Sequence, residues 1–105
     1  MFEYQAKILR VIDGDTVEAE VDLGFNIKMN MKLRLAGINA PEMTTPEGKE
    51  SKVALVTMIE GKTVTVLSQK DKQEKYGRYL ATILCDRISI NEWLVEHKLA
   101  ERYIG

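Results

Sequence analysis

From Ile27 to Leu35 the chain alternates almost without fault, with Ile27, Met29, Met31, Leu33 and Leu35 on one phase and Lys28, Asn30, Lys32 and Arg34 on the other. A period of two marks a strand that buries one face and wets the other. Such a strand needs neighbours that share its apolar face, and the preceding residues supply them. Thr16 to Leu23 sets Val17, Ala19, Val21 and Leu23 against Glu18, Glu20 and Asp22, and Ala6 to Ile12 is rich in β-forming residues. Asp13-Gly14-Asp15 and Asp22-Leu23-Gly24 separate the three runs, and both are turn signals. Sequential strands with one apolar face and short turns form an antiparallel meander.

The pattern changes at Gly37-Ile38-Asn39-Ala40-Pro41-Glu42, where Pro41 cannot donate to a ladder, so an irregular loop is expected. About Pro46 to Glu60 carries Val53, Ala54, Leu55, Met58 and Ile59 at helical spacing, with Gly61 as the stop. Thr63 to Leu67 is a β-branched strand, and Tyr79 to Cys85 is another after a turn at Tyr76-Gly77-Arg78. Ser89-Ile90-Asn91-Glu92 reads as a capping box, in which the Ser89 hydroxyl accepts from the Glu92 amide and Glu92 reaches back. The helix it opens is expected to run to about Lys98, with Ile90, Trp93 and Leu94 inward and His97 in its last turn. The order β-β-β-α-β-β-α predicts a mainly β (α+β) fold, a five-stranded OB-fold-type β-barrel with two to three short helices. Residues 1–105 read as one domain, and topology alone names no function.

Composition narrows the function classes. The chain is 45% hydrophobic and 30% charged, as in ordinary globular proteins. No run approaches the ~18 apolar residues of a membrane-spanning helix, and the N-terminus lacks the pattern of a signal peptide. A cytoplasmic protein without a membrane partner is the expectation. Cys85 is the only cysteine, which excludes an intramolecular disulfide and a cysteine-rich zinc site. It reads as a core residue, as do Met29, Met31 and Met58. The net charge of −1 is not that of a protein that coats nucleic acid. Positive charge is nonetheless concentrated locally: Lys28, Lys32 and Arg34 share a strand phase, and Lys70, Lys72, Lys75 and Arg78 crowd one loop.

Asp13 and Asp15 flank Gly14, so both carboxylates can lean toward one point. Asn39 and Glu42 fall in the proline-bearing loop, and Arg34 and Arg78 stand at strand ends. Oxygen donors beside guanidinium groups suit phosphodiester cleavage. A divalent cation neutralises a phosphate oxygen and acidifies water, arginine forks clamp the remaining oxygens, and a carboxylate can deprotonate the nucleophile. Singly, an Asp-Gly-Asp is usually only a turn, and a strand arginine is usually a solvated surface group.

Together the motifs are more specific. Val11-Ile12-Asp13-Gly14-Asp15-Thr16-Val17, Arg34-Leu35-Ala36-Gly37-Ile38-Asn39-Ala40-Pro41-Glu42, Lys75-Tyr76-Gly77-Arg78 and Asn91-Glu92-Trp93-Leu94-Val95 resemble the staphylococcal nuclease family in order and spacing, over roughly residues 6 to 100. The resemblance implies a Ca²⁺-dependent nuclease of low sequence specificity acting on DNA and RNA. It makes Asp15 the principal Ca²⁺ ligand, with Asp13 acting through water, Asn39 where the family usually has a second aspartate, and the Ala40 backbone carbonyl as a further donor. It assigns Arg34 and Arg78 to the phosphate, Glu42 to the attacking water, Lys75 and Tyr76 to the substrate phosphate, and Thr16 to the surroundings of the metal. Single-stranded or frayed nucleic acid is the expected partner, and a homo-oligomer is compatible with a core shortened at the C-terminus relative to the family. Asn39 removes one negative charge, so weaker metal binding or a changed metal preference is expected; Ca²⁺ accepts amide oxygens in flexible geometry. The family's base-stacking tyrosines have no counterpart in register, and Tyr103 lies nearby. The rival reading is a non-catalytic OB-fold module, binding nucleic acid or protein, in which the metal site has decayed.

Overall fold

The computed structural model describes residues 2–73 and 78–103, the side chains of 69–73 excepted. Strands β1 (Phe2–Asp13), β2 (Thr16–Asp22) and β3 (Lys28–Leu35) form the expected antiparallel meander. The short β4 (Ile38–Asn39) comes next, then α1 (Pro46–Ile59), β5 (Thr63–Gln73), β6 (Tyr79–Cys85), β7 (Ile88–Ser89), α2 (Ile90–Glu96) and β8 (Glu101–Arg102). The main sheet runs β3-β2-β1-β5-β6-β7, and a parallel pairing of Leu33–Leu35 with Tyr79–Ala81 closes it into a barrel. The five long strands and two helices give the expected mainly β, OB-fold-type barrel.

The core lies inside the barrel and beneath the helices. Ile8, Val17, Ala19, Leu33, Leu35, Leu55, Ile59, Ile83 and Leu94 are at most 1% exposed. In β1 the inward phase steps from Ile8 to Val11 because the register with β2 slips between Ile8 and Arg10. A bulge of that kind bends the strand and re-aims the residues beyond it, in this chain the turn at Asp13.

Several sequence expectations change. Leu23 and Ile27, expected on apolar strand phases, fall in the turn between β2 and β3 and are exposed. Met29 is also exposed, since it lies beyond the short stretch of β3 that β6 covers. Val53 is also exposed: α1 buries Gly48, Ser51, Leu55 and Ile59, a narrower stripe than the apolar residues suggest. Cys85 is only partly buried, near the end of β6. The Ser89 cap forms, its hydroxyl accepting from the Glu92 amide at 3.3 Å, but Glu92 does not reach back; its carboxylate pairs with Arg102 at 2.9 Å. Helix α2 stops at Glu96, and His97 stacks on Trp93 with ring centroids 3.9 Å apart.

Two connections position the site. Ile38 and Asn39, expected in an irregular loop, pair with Arg102 and Glu101. The Asn91 side chain, 4% exposed, ties α2 to the barrel. It accepts from the Ile83 amide (3.1 Å) and donates to the Ala36 (2.9 Å) and Ala81 (3.1 Å) carbonyls. Each buried polar atom of that amide is therefore satisfied.

Candidate active site

Asp13 and Asp15 sit in the connection between β1 and β2, whose last ladder pair is Asp13 with Thr16. Gly14 is required there by space. A Cβ on it would lie 2.8 Å from both the Ala40 and Ser51 Cβ atoms, so the turn is pressed onto the β4 exit and onto α1. That contact carries Asp15 into the interior, where it is 8% exposed.

The Asp15 carboxylate is held from three sides. It accepts from the Thr16 hydroxyl at 3.1 Å and from the Ala40 amide at 2.9 Å, and Arg34 Nη2 lies 3.5 Å from it. Burial is the largest influence on this carboxyl and raises its pKa. Hydrogen bonds from Asp13, the Ala40 amide and Thr16, together with the Arg34 charge, outweigh it and hold Asp15 below the usual carboxylate range. Asp13 moves the other way, raised first by burial and then by the hydrogen bond and charge of Asp15. Its Oδ1 accepts from the Asp15 amide at 3.1 Å.

Arg34 is placed by β3. Its side chain is only 12% exposed; Nη1 donates to the Leu35 carbonyl at 2.6 Å, and Nη2 to Asn39 Oδ1 at 3.3 Å. Arg78 reaches the same region from just before β6, its Nη1 donating to the Thr16 hydroxyl at 3.3 Å. Thr16 therefore links both groups, donating to Asp15 and accepting from Arg78.

Glu42 arrives on the loop before α1. Its carbonyl accepts from the Thr45 amide (3.0 Å) and hydroxyl (2.7 Å), and the same hydroxyl caps α1 by accepting from the Gly48 amide at 3.0 Å. Gly48 packs directly beneath the loop: a Cβ there would fall 1.9 Å from the Glu42 carbonyl oxygen. The sequence pattern gives no sign of this, because a glycine in a first helical turn looks like an ordinary weak helix former.

Asp13, Asp15, Arg34, Asn39, Ala40, Glu42 and Arg78 line one cleft of 580 Å³, together with Pro41, Met43 and Tyr103. Lys75 and Tyr76 lie outside the described residues. Tyr103 enters because β8 pairs with β4 and the Tyr103 amide donates to the Gly37 carbonyl at 2.9 Å. Two-residue strands leave almost no periodic signal, so nothing in the sequence pattern places it there.

The cleft's oxygens suit a hard cation. Among the described residues no three His, Cys, Asp or Glu side chains converge on one point. A cation here would therefore rest on Asp13 and Asp15, supplemented by amide and backbone oxygens and by water. Ca²⁺ accepts such a mixed set.

The chain matches the family profile described as "Staphylococcal nuclease homologue" over residues 32–104. It is 38% identical over 72 residues to the "Probable staphylococcal-like nuclease CAN1" of Oryza sativa subsp. japonica, covering 69% of this chain and 21% of that protein. It is 30% identical over 94 residues to an "Uncharacterized endonuclease" of Escherichia coli O157:H7, covering 89% and 57%. It is 36% identical over 74 residues to the "Staphylococcal-like nuclease CAN1" of Arabidopsis thaliana, covering 70% and 22%. The matched region thus spans less than two thirds of each of these relatives. With residues of three motifs joined in one cleft and the profile covering more than half of the chain, the chain belongs to the staphylococcal nuclease homologue family.

Proposed function

We propose that this domain is a Ca²⁺-dependent nuclease that hydrolyses phosphodiester bonds of DNA and RNA with little sequence preference. The observation that carries the reading is the convergence of Asp15, Arg34, Asn39, Glu42 and Arg78 on one cleft. Relatives named as nucleases and an endonuclease support it. Carboxylates in a phosphate-binding cleft would repel substrate without a cation between them, so this donor set argues against a simple binding module.

In this reading Asp15, the Asn39 amide oxygen and the Ala40 carbonyl would hold the cation, with Asp13 acting through water, and the cation would supply charge neutralisation at a phosphate oxygen and a more acidic water. Arg34 and Arg78 clamp the phosphate oxygens, and their hold tightens as charge builds in the transition state. The Leu35 carbonyl orients the Arg34 fork, and its Nη2, which donates to Asn39 Oδ1, would turn to the phosphate as that oxygen takes the cation. Among the described residues the Glu42 carboxylate has no hydrogen bond or ion pair, which leaves it able to orient an attacking water and take its proton. The exposed Tyr103 ring offers a surface for a base, a contact worth roughly 1–3 kcal/mol where it forms. A single strand reaches such a cleft without unpairing, and Lys75 and Tyr76 are assigned to its phosphates.

The test is cleavage of heat-denatured DNA with Ca²⁺, with Mg²⁺ and with a chelator. Cleavage with Ca²⁺ that the chelator abolishes is the expected result. A folded protein that leaves the DNA intact under every condition would overturn the reading in favour of the binding module.

A further inference from the structure

The main cleft does not end at Arg78. A second depression of 420 Å³ adjoins it, lined by Ile12, Asp13, Thr16, Lys32 and Arg78, and the two share Asp13 and Arg78 as a common wall. Arg78 stands at this junction, bonded to the Thr16 hydroxyl. Lys32 lies two residues before Arg34 on β3 and shares its phase, so their Cα atoms are about 6.8 Å apart. That is close to one nucleotide step of an extended strand.

The surroundings leave the Lys32 charge available. Its in-register neighbour across the ladder is Glu18, but Glu18 is taken by Arg10 at 3.0 Å. Among the described residues Lys32 makes no hydrogen bond or ion pair. Farther along the strand the charge changes: Lys28 faces Asp22, and Asn30 faces Glu20. Among the described residues lining the depression, Lys32 and Arg78 are the cations and Asp13 is the one carboxylate.

We propose that this depression is a second phosphate subsite, with Lys32 binding the backbone phosphate next to the one between Arg34 and Arg78. The subsite rests on the nuclease reading for its substrate and makes the protein prefer oligonucleotides to a single phosphodiester. A long, flexible ammonium suits this task, because it adds charge without fixing an orientation. Lys32 touches substrate away from the reacting atoms, so its removal weakens binding and spares turnover.

The experiment measures binding of a fluorescein-labelled single-stranded oligonucleotide with cleavage-resistant phosphorothioate linkages at constant Ca²⁺ across a salt series, and separately KM and kcat on the natural oligonucleotide in Ca²⁺. Lys32→Ala should weaken binding about tenfold, the order of one charge-assisted contact. It should lower the slope of log K against log salt by about 0.7, the increment for one phosphate on a single strand. KM on the oligonucleotide should rise with kcat unchanged, and a nucleoside carrying one nitrophenyl phosphodiester should be cleaved as by wild type. Lys32→Arg should restore binding, and Lys28→Ala should leave it intact. An unchanged salt slope and affinity in Lys32→Ala, or an equal loss in Lys28→Ala, would overturn the subsite. Oligonucleotide binding that depends on Lys32 in a protein that never cleaves would keep the subsite and defeat the nuclease reading.

Discussion

Leu33 and Leu35 are 1% and 0% exposed, whereas Met29 and Ile27, on the same phase of the same alternating run, are 54% and 56% exposed. The polar phase divides at the same place. Arg34 is enclosed and bonded to Leu35, Asn39 and Asp15, while Lys28 is exposed beside Asp22. The difference comes from β6, which pairs with β3 only at Leu33–Leu35. An alternating pattern sets which face a residue joins; closure of the sheet sets how deep it lies. The enclosed half is also where the chemistry gathers, because a guanidinium held in a partly dry cleft acts more strongly on phosphate than one in water.

The sharpest way to break this comparison is to remove one cation from each half. Arg34→Ala should reduce turnover on denatured DNA about 10²–10³-fold, the usual cost of losing one transition-state donor. Lys28→Ala should match wild type within about twofold, as expected of an exposed charge. Equal losses would show that β3 acts only as a general basic surface.

Gly48→Ala tests whether the loop beside the enclosed half needs its close packing. Alanine normally favours a helix by about 1 kcal/mol over glycine. Here its Cβ would displace the Glu42 carbonyl, and misplacement of a reacting group by about 1 Å can cost 10²-fold. Steady-state kinetics should show a fall of that order at most, with no gain in urea stability. A more stable variant of full activity would mean that the Glu42 loop has another way to pack.

A stability pair gives the smallest expected effect. Leu33→Ala should cost roughly 2–5 kcal/mol in urea unfolding, and Met29→Ala less than about 1 kcal/mol. Comparable losses would mean that the open half of β3 is covered in solution.

The long elements are legible in the sequence because period two and helical spacing persist for many residues. Strands β2, β3 and β6 and helix α1 stand close to where their patterns place them, whereas β1 begins earlier, at Phe2, and β5 runs on to Gln73 through Lys70 and Lys72, which the sequence pattern places in a loop. Asp13, Asp15, Arg34, Asn39, Ala40, Glu42 and Arg78 stand out in their motifs and share one cleft. The illegible features depend on contacts between distant segments. The parallel seam between β3 and β6 has no local signal, and neither has the two-residue β4–β8 pairing that brings in Tyr103. Asn91 looks like a helix residue inside a capping box, yet its amide ties three backbone groups of the barrel. Gly14 and Gly48 are set by clearance to other segments, which no composition reveals.

The most direct test of the central claim is a Ca²⁺ titration of cleavage of heat-denatured DNA by wild type and by Asn39→Asp. The expected result is no cleavage in chelator, saturable cleavage with Ca²⁺, and saturation at lower Ca²⁺ once Asn39→Asp adds a carboxylate to the cleft. Cleavage that the chelator leaves intact, or a Ca²⁺ dependence that Asn39→Asp does not move, would contradict it.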